Sequence, residues 1–276
     1  MPDSEFEGGE PPASRPSQTP SVLLTIDNAV AELVLNRPDK LNAMNDVMVH
    51  ELIESLSAVE QAGARALLIR GEGRGFCSGR DLSEADPAHE DGEAILRDTF
   101  NPLMERMADL AVPTIAAVHG ACLGTGLGLA LACDVVYAAD DARVGSPFAR
   151  IGAVLDSGAH RAFVRRVGPH RALELIYTGR LVSGREAAQW GLVNRSVAGA
   201  DLLRRTRELA VAIARGPTAA FLESKRLVRR LTDETLSLSD VLTAEAAAQG
   251  RASRTHDYQD GIAAFIEKRK PTFTGS

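Results

Sequence analysis

Two glycine-rich segments follow short apolar runs and lead into helical patterns. One follows Ala66–Ile69 and reads GEGRGFCSGRDL; the other follows Thr114–Val118 and reads HGACLGTGLGLALACD, from His119 to Asp134. Each pattern predicts a strand-to-helix turn, where the backbone N–H groups at the start of a helix have no partner within it. Such a turn serves as an anion site or as plain turn chemistry, and the residues alone leave both interpretations open.

Spacing excludes three glycine motifs with a defined chemistry. A dinucleotide-binding fingerprint that begins at Gly124 needs a glycine where Leu129 stands, and no GxxxxGK[ST] phosphate loop occurs. In Gly75–Gly79, GFCSG, the serine is one place too late for a nucleophile elbow. The remaining possibility with a defined chemistry is that backbone N–H groups of the two turns together hold one oxyanion.

Length, charge and cysteine usage bound the class of protein. With 276 residues, 45% of them hydrophobic, the chain can bury one substantial core, and a formal net charge of −6 argues against nucleic acid or a membrane surface as its main partner. The three cysteines lack metal-ligand spacing, which favours buried thiols, no metal site and a cytoplasmic protein. We find no apolar run long enough to span a bilayer and no signal-peptide pattern.

Composition and periodicity divide the chain into three parts. Residues 1–20 are rich in Pro, Gly, Ser and acidic residues, which predicts a disordered tail. Residues 21–199 alternate strand and helix patterns and include a helix capped by Asp46, which predicts an α/β fold with mostly parallel strands. Residues 200–276 carry helical patterns only, with apolar faces that favour packing on the core or on a neighbouring subunit.

Five segments in register resemble the enoyl-CoA hydratase/isomerase, or crotonase, superfamily. They read LNRPDKLNAM, GFCSGRDL, HGACLGTGLGLALACD, RALELIYTGRLVSGREAAQWGLVN and GIAAFIEKRKPTF, and begin at Leu35, Gly75, His119, Arg171 and Gly261. The resemblance covers nearly the whole chain after residue 20. It implies a spiral core of repeated β-β-α units at residues 21–199, a C-terminal helical region used in trimerisation, and a homotrimer or a dimer of trimers.

The resemblance gives the two glycine-rich turns a role. In this family two backbone N–H groups hold the thioester oxygen of an acyl-CoA, and the matching positions are Arg80 and Thr125. One such donor is worth about 2.7–4 kcal/mol in the barrier when charge develops on the oxygen. The positions that grip CoA or border the acyl group match Lys40, Leu41, Ser78, Asp81, Leu82, Phe265 and Lys268. The resemblance implies no metal or redox cofactor, and CoA enters only as part of the substrate.

The two glutamates of a typical hydratase of this family are absent. Gly128 stands at the first position, in the second glycine-rich turn, and Phe148 stands at the second, in GSPFARIG. Hydration needs a group that takes a proton from water while the α-carbon receives one, and neither residue transfers protons. Phe148 is expected to contribute apolar surroundings to the substrate instead.

One carboxylate remains at a suitable position. Asp156, in IGAVLDSGAHRAF, falls at a turn where some isomerases of the family carry their acid/base and the aryl-CoA dehalogenase carries its nucleophile. From the residues alone, Asp followed by Ser-Gly and a helical pattern favours a helix N-cap instead. Asn101–Leu103 and the segment after Asp257 are similar to the ring-1,2-epoxyphenylacetyl-CoA isomerases of phenylacetate degradation, and the dehalogenase has a histidine where Asn101 stands. These features favour an isomerase.

Three positions depart from that isomerase pattern. Leu155 replaces the usual proline, Ala159 replaces a glycine, and Thr125 is bulkier than the usual Gly or Ala. In addition, His160 has no counterpart in that pattern and is expected to pack. We expect an acyl-CoA isomerase in which Asp156 moves a proton between C2 and C4 and shifts a Δ3 double bond to Δ2, or in which the same oxyanion site assists rearrangement of a ring epoxide. The alternatives are a hydratase with an atypical site and a non-catalytic acyl-CoA-binding protein.

Overall fold

A computed structural model describes residues 19–83 and 85–276. The predicted disordered tail, residues 1–20, lies outside the described residues except for its last two positions. Over the described ranges the chain alternates strands and helices as far as residue 197 and is helical after it. No helix in those ranges is long and apolar enough to cross a membrane.

Strands and helices follow one another in the alternating order that the sequence predicts. The strands are β1 (Val22–Asp27), β2 (Val30–Leu35), β3 (Ala66–Gly71), β4 (Thr114–Val118), β5 (Ala121–Leu123), β6 (Val135–Ala139), β7 (Arg143–Gly145), β8 (Val182–Ser183) and β9 (Arg195–Val197). The helices are α1 (Asp46–Gln61), α2 (Gly92–Ile95), α3 (Asn101–Asp109), α4 (Thr125–Ala132), α5 (Ala159–Thr178), α6 (Gly184–Gln189), α7 (Gly199–Ala214), α8 (Thr218–Asp233), α9 (Leu238–Ala252) and α10 (His256–Glu267).

The main sheet has the strand order β1-β2-β3-β4-β6-β9, and every neighbouring pair except β1-β2 is parallel. A smaller sheet contains β5, β7 and β8. Strands β3 and β4 are almost wholly buried, as expected of parallel strands that are covered on both faces. The predicted α/β fold with mostly parallel pairing is confirmed, although the short strands β5, β7 and β8 have too few residues for a visible alternation.

The main sheet places the two glycine-rich turns side by side. Strands β3 and β4 are parallel neighbours, so the segments after them leave the same edge of the sheet. These segments continue as paired chains, because the Phe76 N–H donates to the His119 carbonyl (2.8 Å) and the Leu123 N–H donates to the Cys77 carbonyl (2.9 Å). Gly120 makes this approach possible, since a Cβ there would lie 1.9 Å from the Arg74 carbonyl oxygen.

All three cysteines are buried thiols, as their apolar context predicts. Burial raises the pKa of Cys77 to about 12. A thiol with so high a pKa is not a nucleophile near neutral pH.

The start of α1 differs from the prediction. Asp46 is not the N-cap; the cap is Asn45, whose Oδ1 accepts a hydrogen bond from the Met48 N–H (3.1 Å). Met44, one residue earlier, forms a parallel bridge with Arg80. This bridge keeps the chain extended through Asn45, so that the helix begins at Asp46 itself.

The C-terminal helices leave several large apolar side chains exposed. The most exposed on α8, α9 and α10 are Val228, Leu231, Leu238, Leu242, Ile262, Phe265 and Ile266. The end of the chain is fastened to the start of α10, because the buried Asp257 carboxylate accepts hydrogen bonds from the N–H groups of Thr274 (2.6 Å) and Gly275 (2.8 Å). The exposed apolar face is therefore a surface of an ordered helical region.

Candidate active site

In the first glycine-rich turn, the Arg80 N–H points away from the neighbouring segment at Met44. The Met44 N–H donates to the Gly79 carbonyl (2.8 Å) and the Asp81 N–H donates to the Met44 carbonyl (2.8 Å). In such a parallel bridge, Gly79 and Asp81 bond to Met44, and Arg80, which lies between them, directs its own N–H to the side opposite Met44. Within the described ranges, Arg80 N–H donates to no protein acceptor.

The second predicted donor lies against the first turn. Thr125 is the first residue of α4, so its N–H has no acceptor within the helix. Its nitrogen lies 3.6 Å from the Cβ position of Gly79, the residue before Arg80. The structure therefore brings the two predicted donors together at the N-terminus of α4, where the helix dipole also favours negative charge.

Asp156 faces this helix rather than capping its own. The N-cap of α5 is Gly158, and it makes no side-chain cap hydrogen bond. Oδ1 of Asp156 instead accepts a hydrogen bond from the Ser157 hydroxyl (2.7 Å) and lies 3.4 Å from Oγ1 of Thr125. The helix-cap interpretation is wrong because Ser157 (φ +54°) and Gly158 (φ +73°) are both left-handed and turn the carboxylate back toward α4.

The protein environment of Asp156 favours the protonated form of its carboxyl group more than an aqueous environment would. Burial raises its pKa above the ordinary value of 3.8, against the lowering effects of the hydrogen bonds from Ser157 and Thr125 and of the charges of Arg80 and His160. Its other oxygen, Oδ2, accepts no hydrogen bond from any described residue and is not enclosed. A half-buried carboxyl with a raised pKa and one free oxygen is suited to proton transfer.

The hydratase glutamate position has no room for a side chain. A Cβ on Gly128 would lie 2.4 Å from the Ser157 Cβ and 2.8 Å from the Ser157 carbonyl oxygen. The turn that carries Asp156 occupies the space into which a side chain at 128 would extend. Phe148 lies close by, with its ring 3.3 Å from the Cβ position of Gly124. Phe148 therefore places an apolar ring beside the turn that begins α4.

Comparison with known proteins agrees with this geometry. The model of the enoyl-CoA hydratase/isomerase family matches residues 25–276. The chain belongs to the enoyl-CoA hydratase/isomerase family. The Bacillus subtilis protein YhaR, named as an enoyl-CoA hydratase/isomerase, is 39% identical over 251 residues, which cover 90% of this chain and 96% of that protein. The 1,2-epoxyphenylacetyl-CoA isomerase of Escherichia coli is 36% identical over 92% of this chain and 98% of its own length.

Solved structures show the same fold. The crystal structure of an enoyl-CoA hydratase from Bacillus anthracis superposes with a TM-score of 0.86 at 31% identity, over 93% of this chain and all of that one (100%). A Geobacillus kaustophilus structure, titled as an enoyl-CoA hydratase subunit, has a TM-score of 0.86 at 34% identity and covers 93% of this chain and 98% of its own. The crotonase fold that the resemblance implies is therefore confirmed.

In this member of the family, three of the predicted CoA-binding residues lie together beside the first turn. The Ser78 N–H donates to the Leu41 carbonyl (3.0 Å), and the Ser78 hydroxyl donates to the Lys40 carbonyl (3.4 Å). Lys40 is exposed, so its ammonium group is available as a point charge for a phosphate.

A buried asparagine that sequence reasoning missed holds this loop in place. Oδ1 of Asn42 accepts from the Arg37 N–H (2.8 Å), and its Nδ2 donates to the carbonyls of Glu72 (2.9 Å) and Gly75 (2.8 Å). Asn42 is fully buried and left-handed (φ +56°). The only signal in the sequence was a polar residue within the apolar LNAM segment.

Asp81 supports the loop as an ion-paired carboxylate. It accepts hydrogen bonds from the Ser83 hydroxyl (2.7 Å) and the Arg37 guanidinium (2.8 Å). These contacts, with Ser83 as the largest influence, lower the pKa of Asp81 to about 2. Asp81 is therefore ionised at neutral pH and held by protein groups, whereas the neighbouring Leu82 is half exposed.

The remaining predicted residues lie on the surface. Phe265 is 84% exposed, and Lys268 is exposed at the C-terminal end of α10, so neither packs against the turns within one protomer. His160 is exposed as well, which makes the expectation that it packs wrong; its Coulombic effect is the smallest of the named influences that lower the pKa of Asp156. The guanidinium of Arg80 pairs with Glu90, and its charge lowers the pKa of Asp156.

Proposed function

We propose that this chain is an acyl-CoA isomerase that shifts a Δ3 double bond to Δ2. The observation that carries the proposal is the position of the Asp156 carboxylate, 3.4 Å from the side chain of Thr125, whose N–H is one of the two oxyanion donors. A base and an oxyanion site in such proximity suit proton abstraction next to a thioester carbonyl. Among the relatives, hydratase and isomerase names both occur, so residues of this chain must distinguish the two reactions.

The proposed reaction needs one base and no water. The N–H groups of Arg80 and Thr125 hold the thioester oxygen, and Oδ2 of Asp156 removes a proton from C2. The C2–H electron pair moves into the C1–C2 bond and the carbonyl electrons move onto oxygen, which gives a dienolate. Asp156 then returns the proton to C4, the carbonyl re-forms, and the double bond lies between C2 and C3. The raised pKa of Asp156 brings the acid and base forms closer in energy than in an exposed aspartate.

Hydration is disfavoured by the same geometry. The carboxylate pair of a hydratase would need a side chain at position 128, and Ser157 occupies that space. Phe148, at the second position, offers no proton-transfer group to water. Rearrangement of a ring epoxide is a second candidate, favoured by the resemblance of Asn101–Leu103 and of the segment after Asp257 to the ring-epoxide isomerases, one of which, from Escherichia coli, is among the relatives.

Turnover of two substrates tests the proposal. The purified chain should convert a 3-enoyl-CoA to the 2-enoyl-CoA and hydrate crotonyl-CoA slowly, and Asp156→Asn should lower isomerisation by about 10²–10⁴-fold. Asp201→Asn, a change of a half-exposed aspartate on α7, is the matched control and should leave the rate unchanged. Rapid hydration of crotonyl-CoA that survives Asp156→Asn would contradict the proposal, as would acyl-CoA binding without turnover of any enoyl-CoA or ring epoxide.

A further inference from the structure

Two hydroxyl groups from different parts of the fold converge on one oxygen of Asp156. The Ser157 hydroxyl comes from the turn before α5, and its Oγ lies 2.7 Å from Oδ1. The Thr125 hydroxyl comes from the first residue of α4, and its Oγ1 lies 3.4 Å from the same atom. Because Oδ2 accepts no hydrogen bond from the described residues, the two carboxylate oxygens have different environments.

Ser157 adopts a conformation that is unfavourable for a residue with a side chain. Its φ is +54°, in the left-handed region, and it is 8% exposed. Non-glycine residues in this region persist when surrounding contacts hold them, and they are often found at functional sites. Glycine would adopt this backbone conformation without that cost. The presence of serine instead indicates that its hydroxyl, which donates to Asp156, has a function.

Gly128 is the counterpart that makes this arrangement possible. Any Cβ at position 128 would overlap with the Cβ and the carbonyl of Ser157. The turn therefore packs directly on the backbone of α4, which brings the Ser157 hydroxyl and the Thr125 hydroxyl to the same carboxylate oxygen. Gly128 thus has two consequences: the glutamate of a typical hydratase is absent at this position, and Ser157 has room to pack against α4.

We propose that Ser157 and Thr125 are positioning residues, whose hydroxyls hold Oδ1 of Asp156 so that Oδ2 alone exchanges protons with the substrate. This inference rests on the proposed function. Hydroxyl donors favour the ionised, basic form of the carboxylate and oppose the effect of burial. The titratable groups whose Coulombic effects lower the pKa of Asp156 are Arg80 and His160, and Arg80 is itself paired with Glu90 and lies within the influence of Asp46.

Paired substitutions separate the hydroxyls from the backbone groups beside them. Thr125→Val removes the hydroxyl at nearly constant shape, whereas Thr125→Ser keeps it; both keep the oxyanion N–H. Ser157→Gly removes the other hydroxyl and suits the left-handed backbone. We expect Ser157→Gly to lower kcat by about tenfold or more and Thr125→Val by less because its contact is longer, with little change in KM. Thr125→Ser, which restores the hydroxyl, should recover most of the kcat that Thr125→Val loses.

The acidic limb of the kcat/KM profile supplies a readout that a purely structural role would not change. Ser157→Gly and Thr125→Val should move this limb to higher pH, because each removes a donor to the ionised carboxylate. An unchanged pH profile, with kcat within twofold of the wild type in both variants, would overturn the proposal.

Titration of ¹³C-labelled aspartate carboxyl groups by NMR, with Asp156→Asn to assign the resonance, tests the positioning without any substrate. The pKa of Asp156 should rise in Ser157→Gly and Thr125→Val and not in Thr125→Ser. If the wild type isomerises no enoyl-CoA but these shifts occur, the proposed function has failed and the hydroxyl contacts have not. If the pKa does not move, the positioning has failed whatever the activity.

Discussion

Asp156 shows how one side chain is redirected by the backbone conformation of its neighbours. Its carboxylate is half-buried beside the N-terminus of α4, and burial raises its pKa despite two hydroxyl neighbours and the positive end of a helix. A group held in this way lowers stability when it is ionised. Function and stability are therefore opposed at this residue, as is common for catalytic groups.

Removing the charge of Asp156 should stabilise the protein at neutral pH. Because the folded-state pKa is raised above its ordinary value of 3.8, the folded protein binds the proton more tightly than the unfolded chain, and stability falls as pH rises from ~4 through the raised pKa. Asp156→Asn carries no such penalty, and its amide oxygen still accepts from Ser157. Thermal unfolding of the two proteins should show a higher melting temperature for the variant at ~pH 7 and a smaller difference at ~pH 4. A difference that grew toward low pH would contradict this sign.

Ser146 offers a second test at the residue scale. It is 3% exposed, and its hydroxyl is a buried side-chain group without a hydrogen-bond partner among the described residues. A buried hydroxyl without a partner loses hydration and gains nothing in return, so Ser146→Ala should raise the free energy of unfolding by about 1 kcal/mol. Chemical denaturation measures the change, and a loss of stability would show that the hydroxyl has a partner.

Helix α4 is the element on which the site is assembled. Its first residue, Thr125, carries the N–H that we propose as an oxyanion donor, and its fourth, Gly128, lies under the turn that carries Asp156. The helix is buried over nearly its whole length, so side chains of neighbouring segments pack directly on its backbone. Its glycines are consequences of that packing, since glycine by itself disfavours a helix by about 1 kcal/mol relative to alanine.

Two glycine-to-alanine substitutions should therefore have opposite effects. Gly128→Ala places a Cβ 2.4 Å from the Ser157 Cβ and should destabilise the protein by about 1–3 kcal/mol. Gly250→Ala, on α9, meets nothing within 4 Å and should stabilise it by about 0.5–1 kcal/mol through helix propensity alone. Denaturant unfolding of both variants measures the difference. Equal effects would show that Ser157 and its turn move aside readily.

At the scale of the whole molecule, the C-terminal helices carry large apolar side chains that one protomer does not cover. Phe265 (84% exposed), Ile266 (73%) and Leu238 (73%) are among them. Large exposed apolar patches are typical of interfaces. We propose that α8, α9 and α10 form the contacts of the homotrimer that the family resemblance implies, and that Phe265 reaches a substrate only in that assembly.

The mass of the particle in solution tests this assembly. Size-exclusion chromatography with light scattering should give three or six times the chain mass of 29.4 kDa. Phe265→Glu combined with Ile266→Glu should reduce the particle to monomers, because each change places a charge in an apolar interface. Ile26→Glu, at a 40% exposed position in β1, is the control and should leave the mass unchanged. A monomeric wild type would contradict the proposal.

The amino-acid sequence by itself determined the fold class, the two glycine-rich turns, and the absence of both hydratase glutamates. Residue identity and periodicity carry that information, because buried parallel strands and glycine turns depend on local composition. The short strands β5, β7 and β8 could not be predicted, since their pairing depends on distant partners. Asn45 became the cap of α1 for the same reason, through the bridge of Met44 to Arg80.

Only the tertiary structure decided what the glycine at 128 and the aspartate at 156 do together. As a pattern, Asp-Ser-Gly before a helix favours a cap, because capping is a local interaction. The left-handed turn at Ser157 and Gly158 and its packing on Gly128 override that preference and direct the carboxylate to the N-terminus of α4. The physical reason is that a side chain's direction depends on backbone dihedral angles, and here contacts between α4 and the turn before α5, distant in sequence, set those angles.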